Sequence, residues 1–220
     1  MKNEMCIISF YRNEDEFVLT HNRDEEINRS SSKEIVEQKR FDKTYFSPVD
    51  ERANGTWIFY SEQYVACILN GGIEKPTLFK EKYRESRGII LLDLLKYNSV
   101  NEFIDSENLS EIAPFTIFVF ERTTKNAYLL FWNENKLSVK DVSQEKIVTW
   151  CSSTLYSPER RNEIDEIFNQ NNELNSEEIL ELHDDLKMNK GDLYDFLATT
   201  SISQIIMNPL RIDMKYCQLF

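Results

Sequence analysis

Two short apolar runs near the amino terminus, separated by a polar turn, predict a β-hairpin. The first run covers Cys6 to Phe10 and the second Phe17 to Thr20. This alternation is typical of two antiparallel strands. The second run leads into the polar tetrad Asn22-Arg23-Asp24-Glu25. Because a strand advances about 3.3 Å per residue, the returning strand can reach the start of the first. We therefore expect Cys6 to face Asp24 at one end of a sheet.

Further runs rich in β-branched and aromatic residues predict additional strands. They cover residues 56–60, 64–69, 115–121, 127–132, 136–140, 147–151, 202–207 and 210–216. Glycine, asparagine and other turn-forming residues separate many of them, including Asn54-Gly55 and Asn208-Pro209.

Four segments have the patterns of helices. An apolar helix is predicted over Ser86 to Tyr97, and a second begins at Ser99, where Glu102 completes a capping-box pattern. Ser157 followed by Pro158 predicts the start of a third helix, which runs to about Gln170. The fourth is marked by apolar residues at positions 179, 182 and 186.

The elements therefore follow one another as strands, helices, strands, helices and strands, without the regular βαβ alternation of a parallel sheet. This order favours an α+β fold with mainly antiparallel sheets and helices packed outside them. Two sheets enclosed by two helical layers fit the pattern. The chain shows no internal repeat and no linker-like boundary, so we expect one domain over residues 1–220.

Composition narrows the class of partner. The net charge of −12 argues against a nucleic-acid or anionic-membrane surface, which requires clustered Lys and Arg. The four cysteines are widely spaced and form no C-x-x-C pair, so they are expected to be reduced thiols, with no disulfide framework and no metal site. The first four residues are too polar for a signal peptide, and no apolar run approaches the length of a membrane span. A cytoplasmic protein without a membrane span is expected.

Cys6 is a candidate nucleophile. A thiol at a mature amino terminus has its own base, because an α-amino group titrates at about 7.7–8.0. Cys6 reaches that position if translation starts at Met5 and this Met is removed, or if residues 1–5 are cleaved. The alternative is a buried structural cysteine in a strand.

The tetrad offers a second set of polar groups. Asp24 could hold an α-ammonium group, and Arg23 could bind a carboxylate of a substrate. The alternative is a cluster of salt bridges at the end of a strand.

Three residues farther along the chain are further candidates. Asn70 precedes Gly71-Gly72, so its amide could stabilise an oxyanion, or it could belong to an ordinary hairpin turn. Arg87, at a predicted helix start, could bind an anion or remain a surface residue. Trp57 is a core aromatic or lines an apolar pocket.

The two histidines are not expected to form a metal site. His21 lies in an apolar strand and is predicted to be packed there. His183 lies beside Asp184-Asp185 and is predicted to be solvated on the polar face of its helix.

The sequence resembles the NRDE-motif family, which includes the transport-and-Golgi-organisation proteins. The resemblance rests on Met5-Cys6-Ile7-Ile8, the tetrad and Arg29. It continues in Gly55-Thr56-Trp57, Leu69-Asn70 and Ser86-Arg87-Gly88, and it is dense over residues 5–90. It implies a four-layer αββα fold of the amino-terminal-nucleophile (Ntn) hydrolase type, related to the choloylglycine and penicillin V acylases.

The resemblance also implies roles for individual residues. Cys6 would be the nucleophile, Asp24 its partner and Asn70 an oxyanion donor. The residues expected to bind substrate are Asn22, Arg23, Arg29, Trp57 and Arg87. The chain departs from the expected pattern at three places. It has His21 where the acylases usually have Arg. It has Ser152-Ser153 where the family commonly has Ser-Asn, and Thr199-Thr200-Ser201 where the family often has a Thr-Arg-Ser-like segment.

Two functions are open at this point, and a degenerate family member with neither of them is the third interpretation. One is a cofactor-free hydrolase of amide or thioester bonds with Cys6 as the nucleophile. The other is a carrier of an apolar, anionic small molecule such as haem or acyl-CoA, in line with the haem-trafficking and lipid-handling roles proposed for the family. Both need a small-molecule pocket near Cys6 and Asp24, and both leave the oligomeric state open.

Overall fold

The computed structural model describes residues 5–76, 80–154, 156–170 and 173–220. Residues 1–4, for which the sequence predicts no signal peptide, lie outside this description. The described chain forms two compact units. Residues 30–143 make one of them, and residues 5–29 together with 144–220 make the other.

Both units are built from an antiparallel sheet with helices, so the predicted α+β class is confirmed. The described residues contain the strands β1 (Met5–Arg12), β2 (Phe17–Glu26), β3 (Val36–Arg40), β4 (Lys43–Ser47), β5 (Ile58–Ser61), β6 (Tyr64–Asn70), β7 (Phe115–Glu121), β8 (Ala127–Trp132), β9 (Leu137–Asp141), β10 (Ile147–Cys151), β11 (Leu197–Met207) and β12 (Ile212–Gln218). The helices are α1 (Arg87–Leu92), α2 (Val100–Ser106), α3 (Pro158–Asn169) and α4 (Ser176–Asp185).

The first unit contains a seven-stranded sheet in which β3 to β9 lie side by side in chain order. Its core joins sheet residues such as Phe59 and Ile117 to Leu91 of α1 and Phe103 of α2. Each strand of this sheet therefore pairs with the next strand along the chain, to which it is joined by a short loop or by a segment that contains helices.

The helices of this unit differ in detail from the sequence prediction. The segment predicted as one helix is α1 followed by a 3₁₀ turn, Asp93–Lys96, and the tighter turn carries a buried Asp93 bonded to Arg40 and Lys96. The side chain of Ser99 caps α2 as predicted, whereas Glu102 accepts from the N–H of Asn98 and so does not close a standard capping box.

Two short motifs singled out in the sequence meet in this unit. Gly55 and Gly88 approach so closely that a Cβ atom on Gly88 would lie 2.6 Å from the carbonyl oxygen of Thr56. The N–H of Thr56 points to the carbonyl oxygen of Gly88 at 3.4 Å. The Gly-Thr-Trp and Ser-Arg-Gly motifs are therefore two sides of one backbone contact that has no room for a side chain.

We expect a Gly88→Ala substitution to destabilise the protein by about 1–3 kcal/mol, because the added methyl group meets backbone atoms that cannot rotate away. Denaturant unfolding of the variant measures the loss. Gly72→Ala is the milder comparison, since its Cβ would lie 3.1 Å from the carbonyl oxygen of Trp132. Equal stability of the parent and the Gly88 variant would contradict the packing described here.

The second unit contains a five-stranded sheet in the order β10-β1-β2-β11-β12. Ile7 and Val18 of the sheet form a core with Ile164 and Phe168 of α3 and Ile179 of α4, so both helices cover the same face. Ser157 and Pro158 begin α3 as predicted.

The sequence suggested that the polar tetrad follows the second strand. In the structure the tetrad lies inside β2. β2 continues to Glu26, with β1 paired on one side and β11 on the other. A bulge in β11 between Thr199 and Ser201 leaves Thr200 without a position in the register. Strand geometry persists here because neighbouring side chains satisfy the buried polar groups of the tetrad, as described below.

Among the residues described, no helix has the length and apolar character needed to cross a membrane.

Candidate functional site

Cys6 lies in the second position of β1, at the end of the five-stranded sheet, and its side chain is only 6% exposed. Its Cα partner in β2 is Arg23, while Asp24 pairs with Met5. The predicted location of Cys6 and Asp24 at one end of the sheet is thus confirmed. The predicted facing of their side chains is wrong, because residues one position apart in register point to opposite faces.

The pKa of the Cys6 thiol is raised well above its usual value. Burial is the main cause, and the nearby charge of Asp24 raises the pKa further, while the backbone N–H of Asp24 and the guanidinium of Arg23 oppose the rise. With a peptide bond before it, Cys6 is therefore a neutral thiol with little nucleophilic character.

Asp24 is a buried ionisable group whose carboxyl is held by two side chains. Thr199 donates to its Oδ1 and Tyr156 donates to its Oδ2 at 3.1 Å. Burial raises the pKa of this carboxyl to about 7, although both hydrogen bonds lower it. The N–H of Met188 donates to the Thr199 hydroxyl, which fixes the Thr199 proton toward the carboxyl. Asp24 is a rigidly held acid that changes its charge near neutral pH.

Arg23 lies on the other face of β2, the face of Cys6. Its guanidinium donates to the Thr200 hydroxyl at 3.2 Å, and that hydroxyl donates to the Arg23 carbonyl oxygen. Glu25 lies 3.9 Å from Arg23 and 3.0 Å from Arg29. The two arginines proposed to bind substrate thus share one buried carboxylate, which holds them in place.

Asn22 and His183 form a buried hydrogen-bond chain with Ser9. The Asn22 amide donates to the His183 carbonyl oxygen at 2.8 Å, so its Oδ1 must accept from His183 Nδ1, also at 2.8 Å. The neutral ring then accepts at Nε2 from the Ser9 hydroxyl at 2.8 Å. Burial lowers the pKa of His183 to about 3, which keeps the ring neutral. These hydrogen bonds link α4 to β1 and β2 of the sheet.

The expectation of a solvated His183 is therefore wrong, because the ring is fully buried against Phe168 and faces the sheet. His21 is buried inside β2, as predicted. In the part of the chain that the structure describes, no group of three or more His, Cys, Asp or Glu side chains could hold a metal ion.

The remaining candidates belong to the seven-stranded unit. Asn70 ends β6 and is partly exposed, and of the glycines after it only Gly71 has a positive φ, 82°. Arg87 donates to the Pro114 carbonyl oxygen at 3.3 Å, and Trp57 is buried. Their contribution to a site with Cys6 stays a prediction.

Three groups that hold the site were not found from the sequence: Tyr156, Thr199 and Thr200. The consecutive hydroxyl residues in an otherwise apolar strand were a usable signal for the two threonines. Tyr156 follows a strand by several residues and carries no pattern that points to Asp24.

The described residues thus define an α+β protein of antiparallel sheets. A buried, near-terminal thiol and a buried carboxyl of raised pKa share the end of one of these sheets. The model of the family Transport and Golgi organisation 2 matches residues 5–213, so the chain belongs to that family, the one resembled through the NRDE tetrad. Comparison with curated proteins finds no match.

Proposed function

We propose that the protein is a cofactor-free hydrolase of amide or thioester bonds in which Cys6 acts once it is the amino-terminal residue. The placement of Asp24 carries this proposal. The carboxyl pairs in register with Met5, beside the peptide bond that precedes Cys6. Opening that bond would create an ammonium group next to a buried carboxyl whose pKa is about 7. Such a pair favours the charged form of both groups.

The opposite directions of the two side chains suit this role. The thiol of Cys6 leaves one face of the sheet and the carboxyl of Asp24 the other, whereas the α-amine would lie in the strand itself, within reach of both. Asp24 would hold the amine, and Thr199 and Tyr156 would hold Asp24. The neutral form of the α-amine would take the proton of the thiol, and Asp24 would hold the ammonium group that results.

The reaction then proceeds in two steps. The thiolate of Cys6 attacks the substrate carbonyl and forms a carbon–sulfur bond. The amide or thioester bond of the substrate then breaks, and the protonated α-amine of Cys6 gives its proton to the amine or thiol that leaves. Water hydrolyses the resulting thioester and restores the thiol. Arg23, on the same face of β2 as the thiol, is proposed to lie near the substrate, and an Ntn-type fold belongs to the same proposal. Family membership and the two antiparallel sheets support it.

The test compares two forms of the protein. We expect a chain that begins at Cys6 to hydrolyse a panel of aryl amides and acyl thioesters, and a chain that retains residues 1–5 to be inactive, since its thiol stays neutral and its α-amine is blocked. Intact mass establishes the first residue of each. A slow alkylating agent should modify Cys6 only in the first form, in a Cys217→Ser background that removes the exposed thiol.

Cys6→Ala should abolish turnover in a chain that is translated from Met5 and then loses this Met, so that residue 6 is the first residue. Cys151→Ala is the matched control, because Cys151 is a buried thiol on the neighbouring strand and has no role in the proposed chemistry. Activity that is equal with and without residues 1–5, or that survives Cys6→Ala, would refute the hydrolase.

The raised pKa of the Cys6 thiol supports a carrier as the second candidate. If residues 1–5 are retained, the thiol stays protonated and is a poor nucleophile, and the protein would act by binding a ligand. The ligand would be an apolar anion such as haem or acyl-CoA, with the arginine side chains of the site nearby. Binding of either by the unprocessed chain, unchanged by Cys6→Ala, would support the carrier.

A further inference from the structure

The edge strand β12 has a regular pattern of outward-facing backbone groups. The N–H of Asn208 donates to the Arg211 carbonyl oxygen and closes the turn between β11 and β12. Since hydrogen-bonded pairs alternate along an antiparallel ladder, Asp213 and Lys215 turn their backbone groups toward β11. Those of Ile212, Met214 and Tyr216 then point away from the sheet.

A side-chain contact agrees with this phase. The N–H of Met214 donates to the carboxylate of its own neighbour, Asp213, at 2.9 Å. A backbone group directed at β11 would be part of the ladder. Asp213 therefore occupies the outer edge of the sheet and satisfies a donor beside which no strand of the described residues lies.

The charges of β12 are complementary to those of a second β12 that runs antiparallel to it. When the two-fold axis passes through Met214, Asp213 of one copy lies opposite Lys215 of the other, and this pair occurs twice. Ile212 then lies opposite Tyr216. Asp213 and Lys215 are both exposed.

The hydrogen-bond phase fits the same alignment. Met214 would form a hydrogen-bonded pair with Met214 of the second copy, because both turn their backbone groups outward. The Asp213–Lys215 pairs then fall at the non-hydrogen-bonded positions, where Cα atoms approach to about 4.5 Å and side chains interact most closely. In the pairing, the Asp213 carboxylate leaves its own Met214 N–H for a lysine, and the second copy's carbonyl replaces it.

Other alignments of the same phase are less favourable. A two-fold axis through Tyr216 places Asp213 opposite Leu219 and removes both ion pairs. An axis through Ile212 places Asp213 opposite Arg211, but it brings the Asn208–Arg211 turn into the ladder and shortens the ladder. β12 itself contains no proline, glycine or bulge that would prevent pairing.

We propose that two copies of this chain associate through β12, with the two five-stranded sheets joined edge to edge by an antiparallel ladder centred on Met214. The contact is small, so the dimer is weak and depends on concentration. Each subunit keeps the end of the sheet with Cys6 to itself, so dimerisation is independent of the proposed hydrolase.

Charge reversal tests the alignment. We expect the parent chain to form dimers at high concentration in sedimentation equilibrium. Asp213→Lys and Lys215→Asp should each be monomeric, because each places like charges opposite one another twice. The variant with both changes restores the opposite pairs and should dimerise again. Asp15→Lys and Lys33→Asp change the charge by the same amounts at exposed positions outside β12 and should leave the dimer intact.

Hydrogen exchange gives an independent readout. At high concentration the amide of Met214 should become protected, whereas those of Asp213 and Lys215 should not change, since they already bond β11. Monomers at every concentration, single variants that dimerise like the parent, or a double variant that stays monomeric would each overturn the proposal. Far-UV circular dichroism shows whether each variant is folded.

Discussion

An Asp24→Asn variant is expected to be more stable than the parent chain above pH 7, by up to about 4 kcal/mol. Burial raises the pKa of this carboxyl from 3.8 to about 7, so ionised Asp24 opposes folding, and each unit of such a shift corresponds to about 1.4 kcal/mol. An asparagine keeps an acceptor for Thr199 and carries no charge.

The stability difference between the Asp24→Asn variant and the parent should depend on pH. Between pH 3.8 and about 7 the folded chain holds a proton on Asp24 that the unfolded chain has lost, so the parent loses stability as the pH rises through this range. The variant lacks this loss, and its advantage should disappear near pH 4. Denaturant unfolding across the range measures the difference.

Asp15→Asn is the matched control, because Asp15 lies exposed in the β1–β2 turn. A variant of Asp24 that is less stable than the parent at high pH would contradict the raised pKa.

In the chain that begins at Cys6, the same Asp24→Asn change should abolish hydrolysis, because the α-ammonium loses its counter-charge. Gain of stability with loss of activity would mark a group that is retained for chemistry.

A His183→Phe variant is expected to lose about 2–5 kcal/mol of stability at neutral pH. The ring of Phe fills the space against Phe168 but leaves the hydroxyl of Ser9 and the amide oxygen of Asn22 buried without their partner. Each such group costs about 1–3 kcal/mol. Unfolding in denaturant measures the loss, and Glu181→Gln on the exposed side of α4 is the control.

His183 also fixes a pH dependence of the opposite sign to that of Asp24. The folded ring stays neutral down to about pH 3, while the unfolded ring takes a proton near pH 6.5. The contribution of His183 alone therefore lowers the stability of the parent by about 1.4 kcal/mol per pH unit as the pH falls through this window. Asp24 offsets this over most of the same range, so each single variant should reveal the slope of the group that remains. A Phe variant with the parent's acid sensitivity would contradict the buried, neutral ring.

The sequence predicts most strands and the start of α3, because these rest on local patterns of apolar residues and caps. It also brings Cys6 and Asp24 to the same end of a sheet, since a short turn leaves the hairpin little choice of register. The direction of their side chains was missed, because one residue of register decides it and both faces of β2 are buried.

The surroundings of the site are harder to predict. His183 is followed by two aspartates and looks solvent-exposed in the sequence, yet its helix turns it toward Asn22, which lies far away along the chain. Tyr156 and Thr199 also reach Asp24 from distant parts of the chain, Thr199 as the register partner of Asp24 in β11. Such long-range pairs depend on how helices dock and on which strands pair, and no pattern within a single segment predicts that.

The bulge in β11 gives that strand one extra residue beside the tetrad. Thr199 lies opposite Asp24 and Ser201 lies opposite Arg23, although Asp24 and Arg23 are consecutive in β2. A chain from which Thr200 had been deleted could therefore keep both alignments in a regular ladder. It would lose the hydroxyl that accepts from the Arg23 guanidinium and donates to the Arg23 carbonyl oxygen. Homologous chains without the bulge should keep the hydroxyl of Thr199 on the Asp24 carboxyl but lack this contact to Arg23.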